Sequence, residues 1–213
     1  MDIDAYILIG GHSSRLGTDK AFVEIDGMTL AIRALNTIRD SGIASKITFV
    51  AGNETQFAIQ AITLETPFIF DLVENRGPLG GLHAALSYAR TEWIFLMACD
   101  YPFVSVEFIK FLSDTINDDF GAVVPIQSDG RIQPLCAFYN VKIALPTVEE
   151  IINAPRVPPP MRDVVNSLNS RLVNAREYSH LNDSAHLFIN INTTSDIDVI
   201  RKLAADKRGF TQI

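Results

Sequence analysis

Arg15 and Lys20 stand five positions apart in LIGGHSSRLGTDKAFVEIDG, Leu8 to Gly27, a stretch that also holds Gly10, Gly11 and Gly17. Cations set among glycines suit the handling of phosphate. Main-chain N–H groups without side chains in the way approach a polyphosphate closely, Arg15 can grip two oxygens, and Lys20 supplies a point charge where a leaving group becomes more negative. Neither familiar phosphate loop is present. G-x-G-x-x-G fails because Gly10 and Gly11 are adjacent and Gly17 is distant; G-x-x-x-x-G-K-[ST] fails because five residues separate Gly11 from Gly17 and Thr18 follows. Spacing alone fits a tight turn with a solvated Arg15 and Lys20 equally well.

Asp100 is the next group able to do chemistry. It ends the apolar run WIFLMACD, where it either caps the turn imposed by Pro102 or holds a magnesium ion, which takes one or two carboxylates together with phosphate oxygens and water. GPLGGLHAAL opens a helix with Pro78 at the first position, and Gly77, Gly80 and Gly81 serve either close packing or an anion at the helix start. Asn53 and Asp71 follow apolar runs and are turn formers on the bland reading. A carboxylate at Asp71 also suits guanine, whose adjacent N1–H and N2–H₂ donors it can accept together, whereas cytosine offers no such pair. Arg156 and Arg162 flank APRVPPPMRD, a loop because three successive prolines exclude helix and central strand; they are solvated charges or contacts for an anionic ligand. His12, His83, His180 and His186 lack metal-ligand spacing, and Cys99 and Cys136 sit in apolar segments as buried thiols.

These residues need a scaffold that gathers them. Apolar β-branched runs alternate with helical patterns: AYILI, LAIRALNTIRDSG, KITFVAG, ETQFAIQAI, PFIFDL, GPLGGLHAALSYAR, WIFLMACD, SVEFIKFLSDTIN, GAVVPIQ. The alternation predicts βαβ units around a mainly parallel sheet. A loop leaving the first strand of such a sheet lies in the crevice where open α/β sheets bind ligands. Gly42 should close the first helix and Ser105 cap another. RIQPLCAFYN reads as a strand at an edge or bulge because of Pro134. Residues 161 to 178 read as helix then strand, FININT as a strand with Asn190 and Asn192 on one face, and SDIDVIRKLAA as a closing helix capped by Thr194 or Ser195.

With 213 residues, 47% of them hydrophobic and 20% charged, the chain is expected to form one domain with a sizeable core. A formal charge of −7 and the absence of a basic cluster disfavour nucleic acid as a partner. No apolar run approaches the roughly 20 residues of a membrane span, and the Met1-Asp2-Ile3-Asp4 start lacks a basic signal region, so a cytoplasmic protein is expected.

LIGGHSSRLGTDKA resembles the molybdenum cofactor guanylyltransferase signature L-A-G-G-x-S-x-R-M-G-x-D-K-A, with Ile9 and Leu16 as departures. RGPLGGL resembles that family's G-P-L-A-G, with Gly80 for the usual Ala; ACDYPF its C-D-x-P-F; and FININTTSD its F-x-N-I-N-T-P-x-D. The resemblance spans residue 8 to about 196. It implies a three-layer α/β/α Rossmann-like nucleotidyltransferase fold over 1–213, with a nucleotide-binding part to about residue 100 and an acceptor-binding part from 101.

The implied reaction moves GMP from GTP to Mo-molybdopterin, with Mg2+ on Asp100 and pyrophosphate released. Arg15, Lys20 and Asp100 would be catalytic, and Leu8, Ile9, Gly10, Gly11, Gly17, Lys20, Asn53, Asp71 and Asp100 would bind the nucleotide. Gly77, Gly81, Arg162, Asn190 and Asn192 would meet the acceptor, and partner contacts would be transient ones with other molybdenum cofactor proteins. Two rivals stay open: a nucleotidyltransferase using CTP or a sugar or alcohol phosphate, and a non-catalytic nucleotide-binding protein of cofactor delivery.

Overall fold

The computed structural model describes residues 2–9, 20–52, 66–154, 157–191, 193, 195–201 and 203. Its centre is a seven-stranded sheet made of β1 (Ile3–Leu8), β4 (Lys46–Ala51), β5 (Phe68–Phe70), β6 (Trp93–Ala98), β7 (Ala122–Ile126), β8 (Cys136–Asn140) and β9 (Ser170–Asn174), in the order β5-β4-β1-β6-β8-β7-β9. The short strands β2 (Glu24–Ile25) and β3 (Met28–Thr29) form a separate hairpin. All pairings in the large sheet are parallel except those of β8, which runs antiparallel to both β6 and β7.

Why these runs become central strands is visible in their burial. Ile3, Ala5 and Ile7 of β1 join one apolar cluster, while Tyr6 and Leu8 join the other. β6 divides likewise, with Trp93, Phe95 and Met97 on one side and Ile94 and Leu96 on the other. A strand covered on both faces has no polar side, which is why the sequence runs apolar without alternation. Helices α1 (Leu30–Ser41) and α3 (Val106–Ser113) cover the first face; α2 (Pro78–Tyr88), α4 (Val141–Asn153) and α5 (Met161–Ser167) cover the second. Among the described residues no helix is long and apolar enough to cross a membrane.

The expected helix signals are present. Thr29 accepts from the Ile32 N–H at the start of α1, Gly42 ends it at φ 67°, and Ser105 accepts from the Phe108 N–H at the start of α3. The expected helix over ETQFAIQAI lies outside the described residues.

Four expectations need correction. β8 begins at Cys136, beyond Pro134, so the proline neither marks an edge nor bulges the strand; β8 sits between β6 and β7. Directly after it comes α4, unread in the sequence because no loop separates strand from helix and Pro146 interrupts the run; Ala144, Val148 and Ile152 still form a buried stripe, with Pro146 off it. The described residues of FININT, 188–191 and 193, are irregular rather than a strand, although Ile191 is buried. Of the two expected caps of the closing helix, Thr194 lies outside the described residues and Ser195 stands within the helix, helical over 195–201, whose described capping bonds run between Thr193 and Asp196.

Gly121, just before β7, tests the packing of the second face. Its N–H bonds the Asn169 carbonyl and its own carbonyl accepts from Asn140. A Cβ there would lie 2.8 Å from Ile143 Cγ2 and 3.3 Å from Leu168 Cβ. With the backbone held on both sides, Gly121→Ala should cost about 1–3 kcal/mol in chemical denaturation; an unchanged midpoint would refute this packing.

Candidate active site

The chain order creates a crevice. β1, β4 and β5 are laid outward in sequence, and the chain then returns to place β6 on the other side of β1. Ligands bind open α/β sheets at such a switch point, beyond the carboxyl ends of the strands. Leu8 is in register with Val50 of β4 and Ala98 of β6, while Ala51 is in register with Phe70 of β5. The residues that follow these positions therefore share one rim. The Ile9 N–H bonds the Val50 carbonyl at 3.0 Å, the Cys99 N–H bonds the Leu8 carbonyl at 3.1 Å, and the Asp71 N–H bonds the Ala51 carbonyl at 3.0 Å.

Across this rim Lys20 meets Asp100. The Lys20 ammonium donates to Asp100 Oδ2 at 3.0 Å although 80 positions separate the two residues. Their side chains are 20% and 18% exposed, so the pair is only partly screened by water, yet it remains open to a ligand. Each partner is anchored from behind. Lys20 opens the 3₁₀ turn Lys20–Phe22, whose Ala21 is fully buried, and the β2–β3 hairpin then leads into α1 through the Leu30 N–H bond to the Val23 carbonyl. Asp26 and Gly27 both have positive φ at the tip of that hairpin, as a two-residue turn of this kind requires. Asp100 follows β6, every residue of which is buried.

Asp71 marks a second centre. Its carboxyl is turned onto α2, where a Cβ on Gly80 would lie 2.9 Å from Oδ2. Burial pushes its pKa up to about 6. Beside it, a Cβ on Gly81 would come within 2.7 Å of Leu8 Cδ2, so Gly81 lets α2 lie directly on the end of β1. Gly77 begins the helix at φ 54°, a conformation that favours glycine, and its carbonyl accepts from the Gly80 N–H.

One part of the site escaped the sequence reading. The Tyr101 hydroxyl, next to Asp100, donates to Gln133 Oε1 at 3.0 Å; burial is the main cause of its raised pKa, with Asp100 adding to it, so the hydroxyl keeps its proton. Gln133 is itself nearly buried and bonds the Pro125 carbonyl through its N–H. The Tyr101 ring stands edge-on to Phe188 at 6.0 Å, which brings the segment carrying Asn190 towards the Asp100 turn. A glutamine between Ile132 and Pro134, ahead of an apolar strand, was the available signal.

The structure thus gathers Leu8, Ile9, Lys20, Asp71, Gly77, Gly81 and Asp100 on elements that meet at the switch point. Asn190 is exposed, and Arg162 is an exposed side chain 3.5 Å from Asp163. Gly10, Gly11, Arg15, Gly17, Asn53, Arg156 and Asn192 lie outside the described residues. Among the described residues no three His, Cys, Asp or Glu side chains cluster as a self-sufficient metal cage. Asp100 supplies a single carboxylate, which fits magnesium because that ion takes one or two carboxylates and completes its coordination with phosphate oxygens and water.

Comparison with known proteins agrees with this geometry. The model of the MobA-like NTP transferase domain matches residues 5–170. A molybdenum cofactor guanylyltransferase of Desulfosudis oleivorans is 31% identical over 208 residues, covering 97% of each chain. Another protein of that name, from Syntrophotalea carbinolica, is 25% identical, covering 93% of this chain and 90% of its own. The crystal structure of molybdopterin-guanine dinucleotide biosynthesis protein A from Archaeoglobus fulgidus superposes with a TM-score of 0.78 at 23% identity, over 95% of this chain and 99% of its own, and so shares the fold. A seven-stranded sheet with one reversed strand, a lysine and an aspartate meeting at its switch point, and a family match over most of the length lead to one conclusion: the chain belongs to the MobA-like nucleotidyltransferase family.

Proposed function

We propose that the protein is a magnesium-dependent molybdenum cofactor guanylyltransferase, transferring GMP from GTP to the terminal phosphate of molybdopterin with release of pyrophosphate. The observation that carries the reading is the 3.0 Å approach of Lys20 to Asp100 at the switch point, between the glycine-rich stretch and the end of β6. The names of the relatives support the guanylyl donor and the pterin acceptor.

The chemistry asks little of a general base, because the attacking phosphate is already ionised at neutral pH. It asks instead that two anions be held in line and that the charge growing on the pyrophosphate be stabilised. Lys20 and Arg15 supply positive charge, and the glycine amides supply donors. Asp100 would hold magnesium, which when bound adds Lewis-acid stabilisation of phosphate oxygens. Lys20 is held by Asp100 before substrate arrives, so its side chain does not have to be ordered from solution when the triphosphate enters. Asp71, when ionised, accepts from the guanine N1–H and N2–H₂, and the family resemblance adds Leu8, Ile9 and Asn53 to the nucleotide site. Gly77, Gly81, Arg162, Asn190 and Asn192 would face the acceptor. The CTP-using reading offers Asp71 only the single N4–H₂ donor of cytosine in place of guanine's adjacent pair, and the Lys20–Asp100 arrangement favours catalysis over binding alone.

Pyrophosphate release from GTP should depend on molybdenum-loaded molybdopterin, and Lys20→Ala and Asp100→Ala should each fold but lose about 10²–10³-fold in turnover. Wild-type rates in both variants would leave a binding protein. Asp71→Asn should weaken GTP relative to CTP and ATP by about tenfold or more, since a hydrogen bond to a charged group is the stronger kind; an unchanged preference would place base recognition elsewhere.

The raised pKa of Asp71 sets a pH dependence. Guanine favours the ionised carboxylate, while the free protein takes up a proton there as pH falls through about 6. GTP affinity should therefore be full above that pH and decline below it, and the decline attributable to this group should vanish in Asp71→Asn. Titrating the dissociation constant of GTP for both proteins between pH 5 and pH 8 measures it; superimposable profiles would remove Asp71 from the base site.

A further inference from the structure

Gln133 stands where the carboxyl ends of β6 and β7 come together. β8 runs antiparallel to β6 with Cys136 opposite Met97, so the residues ahead of Cys136 continue past the end of β6. The Ala98 N–H bonds the Leu135 carbonyl at 2.8 Å, the Gln133 N–H bonds the Pro125 carbonyl of β7 at 2.8 Å, and the Cys136 N–H bonds the Gln133 carbonyl at 3.1 Å. Backbone bonds therefore fix Gln133 at both its N–H and its carbonyl. The strand order puts it on the flank of Asp100 away from Asp71, which follows β5 at the opposite edge of the sheet.

The residue is 8% exposed, so its amide is held rather than solvated. Oε1 accepts from the Tyr101 hydroxyl at 3.0 Å, which settles which way round the amide lies and leaves the two N–H donors of Nε2 to face elsewhere. Nε2 has no partner among the described residues. Unlike Nδ1 of His83, it is not shut away from solvent. Unspent donors on a nearly buried side chain are costly unless a ligand or water takes them.

We propose that Gln133 is an acceptor-binding residue: held by Tyr101 beside Asp100, its amide N–H groups donate to the terminal phosphate of the molecule that receives the nucleotidyl group. The inference rests on the guanylyltransferase reading for the identity of that molecule, molybdopterin. Phosphate oxygens of the dianion only accept, which matches a side chain with only donors left, whereas the polar edges of a pterin mix donors and acceptors. A neutral donor also orients an anion here without competing with Lys20 for the Asp100 carboxylate.

The test measures equilibrium binding to wild type, Gln133→Glu, Gln133→Met and Tyr101→Phe, with thermal melting alongside. The ligands are GTP, molybdopterin, and phosphatase-treated molybdopterin, which lacks the terminal phosphate. Glutamate keeps an oxygen for the Tyr101 hydroxyl but replaces the donors with an acceptor, so Gln133→Glu should weaken molybdopterin by about tenfold or more. Gln133→Met, which removes the donors and the bond to Tyr101 together, should weaken it by about tenfold. Tyr101→Phe leaves the donors in place and only frees the amide to turn, so its loss should be about threefold. GTP affinity should stay within about twofold of wild type in all three, and the loss in Gln133→Glu should disappear when the terminal phosphate is absent.

A Gln133→Glu protein that binds molybdopterin as tightly as wild type overturns the inference, because the bond to Tyr101 would then be the whole role of Gln133. A loss that persists without the phosphate overturns it as well, since the amide would then meet the pterin. If Gln133→Glu melts too early to assay, wild-type affinity in Gln133→Met overturns it instead. A wild-type protein that binds GTP but not molybdopterin refutes the guanylyltransferase reading; wild-type binding retained in both Gln133 variants refutes Gln133 alone.

Discussion

The ion pair between Lys20 and Asp100 is the constraint to which the rest of the architecture answers. A lysine on a flexible stem and a short aspartate meet at 3.0 Å only if the backbones behind them are fixed, and each is fixed by burial on its own side. Ala21, Val23 and Ile25 lock the lysine's turn and hairpin onto the face covered by α1. β6, buried along its whole length and in register with β1, delivers the aspartate. Removing either partner would leave a partly desolvated charge alone, which is why the two side chains are held together.

Around that pair the sheet separates two tasks. The parallel half, β5-β4-β1-β6, lines up strand ends so that the residues after each reach a common crevice. The reversed strand β8 lets the chain turn back from that crevice, and Gln133 ahead of it supports Tyr101 beside Asp100. Phe188, packed edge-on to Tyr101, ties the C-terminal segment to the same turn. The Asp100 turn and the C-terminal segment thus share one support.

Close approach explains the glycines of α2 better than mobility does. Gly81 brings the helix down onto Leu8, and Gly80 gives the Asp71 carboxylate its place. The accumulated cost in helix propensity is tolerated because α2 is nearly all apolar and packed between the sheet and α4, so burial rather than propensity holds it.

The amino-acid sequence by itself determined the alternation of strands and helices over the described residues up to 127, the caps at Gly42 and Ser105, and the candidates Lys20, Asp71 and Asp100, because these follow from local periodicity, turn chemistry and the resemblance of short motifs. It misled where tertiary contacts override local signals. Pro134 looked like the mark of an edge or bulge but lies just ahead of a central strand, FININT alternates like a strand while its described residues are irregular, and α4 carries a proline that a solvent-facing position tolerates. Only the folded chain decided that Lys20 and Asp100 touch, that Tyr101 leans on Gln133, and that Asp71 fills the room left by Gly80. Each of these is a contact between residues distant in sequence or on different elements, and such distances are set by sheet register and helix packing, which no local pattern encodes.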